Sequence, residues 1–243
     1  ATSPSLQPTP SATSSSTPSP LPPSATPTPA GTLPVWGSFA APRETPVTPI
    51  PPPLEGIQLP DEVQVLLLLG ADRIQPFVGR TDSMQLIFYH PRLGNASVLS
   101  IPPDLMVYIP GYTMQRLNIA YSLKDIRSVS QAIAYNFGLL PDDWALVNMD
   151  TFVDYVDEMG GIELTLLETL PDSCSGYRGG QTVRLTGDET LCYMRLRDGM
   201  NEPQRAARQQ QVLRGLFLQM VQNGNLLKLP EFFVGGYRNK PLA

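Results

Sequence analysis

Histidine and cysteine are nearly missing from this 243-residue chain, which has one histidine, His90, and two cysteines, Cys174 and Cys192. A single imidazole argues against a histidine-built zinc centre and against Ser-His-Asp chemistry. Two cysteines fall short of a four-cysteine metal site. Charge is scarce too: 16% of residues are Asp, Glu, Lys or Arg, and the net charge is −5. An acidic chain does not grip nucleic acid by general basicity, so no nucleic-acid partner is expected and any anion site must be local. Nor does any apolar run reach the roughly 20 residues that span a bilayer.

Proline, by contrast, is abundant and lopsided. Residues 1–54 carry 16 of the 27 prolines, many Ser and Thr, and no charged side chain before Arg43. Runs such as Thr26-Pro27-Thr28-Pro29 and Pro51-Pro52-Pro53 are short of backbone donors and bury no apolar surface. Residues 1–54 are therefore expected to be a disordered Pro/Ser/Thr-rich stalk, about 40 Å end to end as a coil. Trp36 and Phe39 are exceptions that can dock on the domain. Residues 55–243 are enough for one domain with its own core. The chain does not begin with Met, so a signal or membrane anchor removed upstream is expected. An uncharged stalk of this kind fits an extracytoplasmic protein, membrane-anchored or secreted, better than a flexible intracellular tail.

Cys174 and Cys192 bracket a stretch that opens Gly-rich. They read either as two buried thiols or as a disulfide, which would contribute about 3 kcal/mol. The stalk favours the disulfide, because both features point to an oxidising compartment.

Elsewhere the periodicity alternates between strand and helix. Val65–Leu69 reads as a strand buried on both faces, and Met84–Tyr89 and Ala96–Ile101 as a hairpin. Ser122–Phe137 has helical spacing and stops at Gly138. Trp144–Asn148, a helix over Asp150–Met159, and Ile162–Leu166 follow. Thr186-Gly187-Asp188-Glu189 matches a capping box that opens a helix to about Met194. Glu202–Gln222 is the longest helix, with its stop at Gly224. Interleaved strands and helices argue for an α/β sandwich.

The polar residues of interest sit at the ends of these elements. Asp72 follows the first strand and Arg80-Thr81-Asp82 precedes the second; carboxylates flanking one loop can hold a hard divalent cation. The plainer reading is that both are ordinary turn and cap residues. Arg195 and Arg197 share a side only where the chain is extended. Arg205, Arg208 and Gln209 occupy the first turns of the last helix, ahead of Val212, Leu213, Leu216 and Met220. A helix-surface ion pair such as Glu202–Arg205 would also account for an arginine there. Guanidinium groups suit bidentate phosphate binding, and paired carboxylates in the same domain make phosphoryl transfer a reasonable reading.

These residues fall into ordered motifs. Leu67-Leu68-Leu69-Gly70-Ala71-Asp72 with Gly79-Arg80-Thr81-Asp82-Ser83-Met84 resembles the opening motif of the LytR-CpsA-Psr family. Ser100-Ile101-Pro102-Pro103-Asp104 stands where that family has Ser-Ile-Pro-Arg-Asp, and Arg116-Leu117-Asn118-Ile119-Ala120-Tyr121 resembles its Lys-Ile-Asn-Ala-Ala-Tyr element. Phe152-Val153 with Gly160-Gly161-Ile162 follows in order, as does Leu185-Thr186-Gly187-Asp188-Glu189 with Tyr193-Met194-Arg195-Leu196-Arg197. Arg205–Gln211 completes a set covering about residues 63–220.

The resemblance implies a three-layer α/β/α sandwich with a mixed central sheet and an apolar lipid pocket. It implies an extracytoplasmic phosphotransferase of the bacterial cell envelope. Such an enzyme moves a glycopolymer from a polyprenyl (pyro)phosphate carrier to peptidoglycan or another acceptor glycan. Carried onto this sequence, Asp72 and Asp82 would bind Mg2+ (or Mn2+). Asp82, Arg195 and Arg197 would be catalytic. Arg80, Arg116, Arg205, Arg208 and Gln209 would hold the pyrophosphate, with Arg116 replacing a lysine. Val212, Leu213, Leu216 and Met220 would line the lipid pocket.

Two departures stand out. Pro103 occupies an arginine position and can neither carry charge nor donate a hydrogen bond. The chain as given also runs only about 35 residues past Gln209, so part of the pocket wall would be missing, rebuilt by Leu226–Phe233 or supplied by a partner. A second reading is therefore a weakened member that binds polyprenyl-phosphate lipids or envelope glycans without turnover. A third is a stalked interaction module, which the matching polar residues argue against.

Overall fold

The structure is a computed structural model, and it describes residues 39–43, 45–46, 48–72, 79–197 and 202–222. Its first strand, β1 (Gln64–Ala71), buries Val65, Leu67, Leu69 and Ala71 but leaves Leu66, Leu68 and Gly70 half-buried. The apolar run is thus not equally buried on both sides, as its continuity predicts. One face meets a dense core and the other is only partly covered.

β2 (Thr81–His90) pairs antiparallel with β1, and β3 (Asn95–Ser100) returns beside β2 through a turn with Gly94 at φ 61°. A short hairpin, β4 (Met106–Tyr108) and β5 (Met114–Arg116), comes next. The helix expected over 122–137 is divided into α1 (Ala120–Lys124) and α2 (Ile126–Phe137). Asp125 makes the break at φ 81°, and its Oδ1 accepts the Arg127 N–H at 2.7 Å, so the same residue caps the second helix. Gly138, left-handed at φ 65°, ends α2 as the sequence predicts. β6 (Asp143–Asn148) then runs parallel to β1, completing a mixed sheet of order β3-β2-β1-β6.

The proline-rich approach to β1 is applied closely to this half. Leu54 and Ile57 donate their N–H groups to the Tyr135 and Gly138 carbonyls at 2.9 and 2.8 Å. The Tyr135 and Tyr108 hydroxyls donate to the Pro51 and Ala40 carbonyls, both at 2.7 Å. Phe39 stands edge-on to Tyr135, with centroids 5.0 Å apart. A Cβ at Gly138 would lie 2.3 Å from the Glu55 carbonyl oxygen, so no other residue fits beneath this strap. Among the described residues, packing contacts reach as far upstream as Phe39, before the composition change at residue 55.

The second half comprises α3 (Met149–Glu158), the antiparallel pair β7 (Ile162–Thr165) and β8 (Thr182–Leu185), α4 (Gly187–Arg195) and α5 (Glu202–Gln222). The capping box forms: Thr186 Oγ1 accepts the Glu189 N–H at 3.3 Å, and Glu189 accepts the Thr186 N–H at 2.9 Å. Cys174 and Cys192 are disulfide-bonded, Cα to Cα 5.8 Å, tying a short 3-10 turn to α4. Gly187 is where α4 meets α3, because a Cβ there would sit 2.3 Å from the Val153 carbonyl oxygen.

Two cores result. Val65, Leu67, Leu69, Leu86, Val129 and Ile133 centre the first, between the sheet and α2. Phe152, Val156, Ile162, Tyr193, Val212 and Leu216 centre the second. Ser83 lies opposite Gly70, on the face away from Leu69, and its hydroxyl reaches Gln209 of α5. Helices therefore lie on both sides of the mixed sheet, giving the α/β/α sandwich. Among the described residues no helix is long and apolar enough to cross a membrane.

Candidate functional site

The register of β1 against β2 slips at one point. Gly70 pairs with Ser83 and Ala71 with Thr81, so Asp82 is the extra residue of a bulge. Bulges re-aim a side chain and release its backbone from the ladder. The released Asp82 carbonyl accepts a hydrogen bond from Arg205 Nη1 at 3.1 Å. Arg205 is 4% exposed and is gripped by Glu202, whose two oxygens each accept from Nε at 3.1 Å. This is the i,i+3 ion pair that the sequence offers as the plainer reading, and it holds the guanidinium against β2. One turn on, Gln209 Oε1 accepts the Ser83 hydroxyl at 3.0 Å, and Gln210 Nε2 donates to Ser100 Oγ at 2.9 Å. The start of α5 is thereby fixed to the start of β2 and the end of β3.

Asp72 and Arg80 continue the β1–β2 pairing. The Asp72 N–H donates to the Arg80 carbonyl at 3.2 Å, and Arg80 N–H donates to Asp72 Oδ1 at 2.8 Å. Both residues are exposed, and they bring Asp72, Arg80 and Asp82 to one end of the sheet. Among the described residues there is no group of three or more His, Cys, Asp or Glu able to hold a metal ion by itself.

Asp104 gathers the other guanidiniums. Its Oδ1 lies 3.6 Å from Arg116 Nη1 and accepts Asn118 Nδ2 at 3.3 Å, while its Oδ2 lies 3.8 Å from Arg197 Nη1. Backbone bonds from Asn118 N–H to the Pro103 carbonyl (2.8 Å) and from Leu117 N–H to the Leu105 carbonyl (2.9 Å) bring the two segments together. Thr81 Oγ1 donates to the Asn118 carbonyl at 3.4 Å, which joins this cluster to the mouth of β2. Pro103 itself is buried. Arg195 is exposed on the last turn of α4, two residues before Arg197.

Five chain segments thus bring Asp72, Arg80, Asp82, Arg116, Arg197, Arg205 and Gln209 into one connected neighbourhood. Arg208 departs from its expected place there. It is 1% exposed, ion-paired with Glu168, bonded to the Leu196 carbonyl, and 5.8 Å over the Tyr193 ring. Burial lowers its pKa from the usual guanidinium value. Its bond to the Leu196 carbonyl ties it to the chain one residue before Arg197. Val212, Leu216 and Met220 are packed in the second core, and Leu213 is half-buried. Leu226–Phe233 lie outside the described residues.

Asp104, Asn118, Thr81 and Ser83 are the site's supporting residues that sequence reasoning did not single out. The signal was within reach: Asp104 and Asn118 sit inside motifs chosen for Pro103 and Arg116, and Thr81 and Ser83 flank Asp82 in the opening motif.

Comparison with known proteins follows the same lines. Regulatory protein MsrR of Staphylococcus aureus is 30% identical over 179 residues, covering 72% of this chain and 55% of that protein. The polyisoprenyl-teichoic acid–peptidoglycan teichoic acid transferase TagU of Bacillus anthracis is 34% identical over 156 residues, 62% of this chain and 50% of that one. The chain therefore spans about half the length of the curated relatives it matches. A solved structure of the LytR-CPS2A-psr family protein YwtF (TagT) with bound octaprenyl pyrophosphate lipid shares the fold. Its TM-score is 0.57 at 23% identity, over 75% of this chain and 78% of that one. With residues 44–235 matching the LytR_cpsA_psr family as well, the chain belongs to that family.

Proposed function

We propose that this protein is an extracytoplasmic phosphotransferase that moves a glycopolymer from a polyprenyl (pyro)phosphate carrier to peptidoglycan or another acceptor glycan. The observation that carries this reading is the gathering of Asp72, Arg80, Asp82, Arg116, Arg197, Arg205 and Gln209 at one end of the mixed sheet. The TagU match supports it, because that relative is a transferase of teichoic acid to peptidoglycan.

The chemistry follows from charge. An acceptor hydroxyl attacks the glycan-bearing phosphorus: a new P–O ester bond forms, the P–O bond to the carrier phosphate breaks, the hydroxyl proton passes to water, and negative charge accumulates on the departing polyprenyl phosphate. Donors already oriented toward that charge stabilise it without reorganising, and Arg80, Arg116, Arg195 and Arg197 are exposed guanidiniums suited to the task. Arg205 is engaged by Glu202 and the Asp82 carbonyl, so its part is to fix the strand on which Asp82 rides. Asp72, one residue past β1, and Asp82, in β2, come to the same end of the sheet and would offer carboxylate oxygens alone. Two carboxylates without a third ligand fit Mg2+ or Mn2+, which take their remaining oxygens from water and substrate phosphate. Such an ion supplies neutralisation of the pyrophosphate charge.

Pro103 favours a second reading, a lipid-phosphate or glycan binder without turnover, because a buried proline offers no donor to the transition state. One assay separates the two. The purified protein is incubated with a polyprenyl-pyrophosphate glycan, an acceptor glycan and Mg2+. Transfer that Asp82→Ala abolishes supports the enzyme; binding with no transfer, even at high protein concentration, overturns it in favour of the binder.

A further inference from the structure

Arg116 and Arg197 come from distant segments, both are cations, and both are largely exposed, at 64% and 56%. Nothing in simple electrostatics keeps such side chains together. Left alone, they would repel and sample many rotamers, and a ligand would have to order both on binding. Between them sits one carboxylate, Asp104, that gives a separate oxygen to each. Its orientation is set by Asn118, which is 6% exposed, donates Nδ2 to Asp104 Oδ1, and is itself held by the Pro103 carbonyl and Thr81.

A negative charge at this spot is a cost if the neighbourhood binds phosphate, because a carboxylate repels an anion nearby. Its placement makes sense if orienting the two guanidiniums outweighs that repulsion. We infer that Asp104 is a positioning residue that clamps Arg116 and Arg197 side by side, so that their outer N–H groups form a two-guanidinium cradle for one phosphate group. The inference rests on the phosphate reading of the site given above. It assigns Asp104 no contact with the substrate.

The sign of one measurement separates positioning from plain electrostatics. Inorganic pyrophosphate with Mg2+ is titrated calorimetrically into the wild-type protein, Asp104→Asn and Asp104→Glu. Positioning makes Asp104→Asn bind about two- to fivefold more weakly, the scale of an exposed ion pair, with partial rescue by Asp104→Glu. Unchanged or tighter binding by Asp104→Asn overturns the inference, since removing a negative charge helps an anion when the residue orients nothing. A second readout is independent of any anion: 15N relaxation of the Arg116 and Arg197 Nε–H groups, assigned with Arg116→Lys and Arg197→Lys. Asp104→Asn should loosen both guanidiniums while the thermal midpoint holds, as expected for a 42%-exposed side chain. Equal order in variant and wild type overturns the inference. Failure of the wild type to bind pyrophosphate counts against the phosphate reading instead, and the relaxation data then decide whether Asp104 orients the pair.

Discussion

Arg205 donates a hydrogen bond to the Asp82 carbonyl across 123 positions of sequence, at 3.1 Å. The bond exists because the bulge leaves that carbonyl without a ladder partner. Arg205→Ala should therefore strand a buried carbonyl and the Glu202 carboxylate together, costing on the order of 2 kcal/mol in urea unfolding. Arg205→Lys, with one point charge in place of a fork, should recover less than half of that loss. A stability equal to wild type for Arg205→Ala would show that the bulge is held by other means.

Arg208 gives a contrasting expectation. Its guanidinium is enclosed with Glu168 and the Leu196 carbonyl, so removing the carboxylate leaves a buried cation without its counter-charge. Glu168→Gln should destabilise by about 3 kcal/mol, reduced by whatever water reaches a carboxylate that is 27% exposed. Phosphate affinity per folded molecule should change little. A variant that folds normally but loses pyrophosphate binding would return Arg208 to the binding set.

Pro103 is the place to test the missing donor. Pro103→Arg should raise any measured transfer rate, by up to the hundredfold typical of one well-placed donor. The position is buried, so the thermal midpoint should be read alongside the rate. A lower rate with a lower midpoint would mean that the surrounding residues have closed around the proline.

Glu189 predicts a pH dependence of folding. The Ser175 hydroxyl first, then the Thr186 N–H, stabilise its carboxylate and lower its pKa from the usual 4.5. Burial opposes the shift without reversing it. A folded value below the unfolded one means that the contribution is fully present above pH 4.5 and is lost as pH falls through the lowered value. Unfolding free energies measured from neutral pH downward should show a shallower acid decline in Glu189→Gln than in wild type. Parallel curves would remove Glu189 from the account.

The fold was legible where local chemistry is strong. Gly138 and the Thr186–Glu189 box ended or opened helices where the sequence indicated, and β2 and β3 paired as the expected hairpin. The break at Asp125 was hidden because the apolar stripe runs through it, and only a positive φ at a capping aspartate divides the helix. Much of the site was legible from its charged residues and from the family resemblance. What composition and spacing do not carry is direction. Arg205, Arg208 and Gln209 share two helical turns, yet one meets a bulge carbonyl, one a buried glutamate and one a strand hydroxyl. Those partners lie 40 to 126 positions away, so only tertiary contact assigns them.

The strap over α2 has a mechanical meaning. Ala40, Pro51, Leu54 and Ile57 attach to Tyr108, Tyr135 and Gly138, beside the helix that covers the face of the sheet away from α5. Tension entering the chain from the Phe39 side is resisted in shear by these bonds and by the Phe39–Tyr135 contact before it reaches β1. A pull applied at Phe39 would therefore load these contacts before it reached the strand that ends beside Asp72.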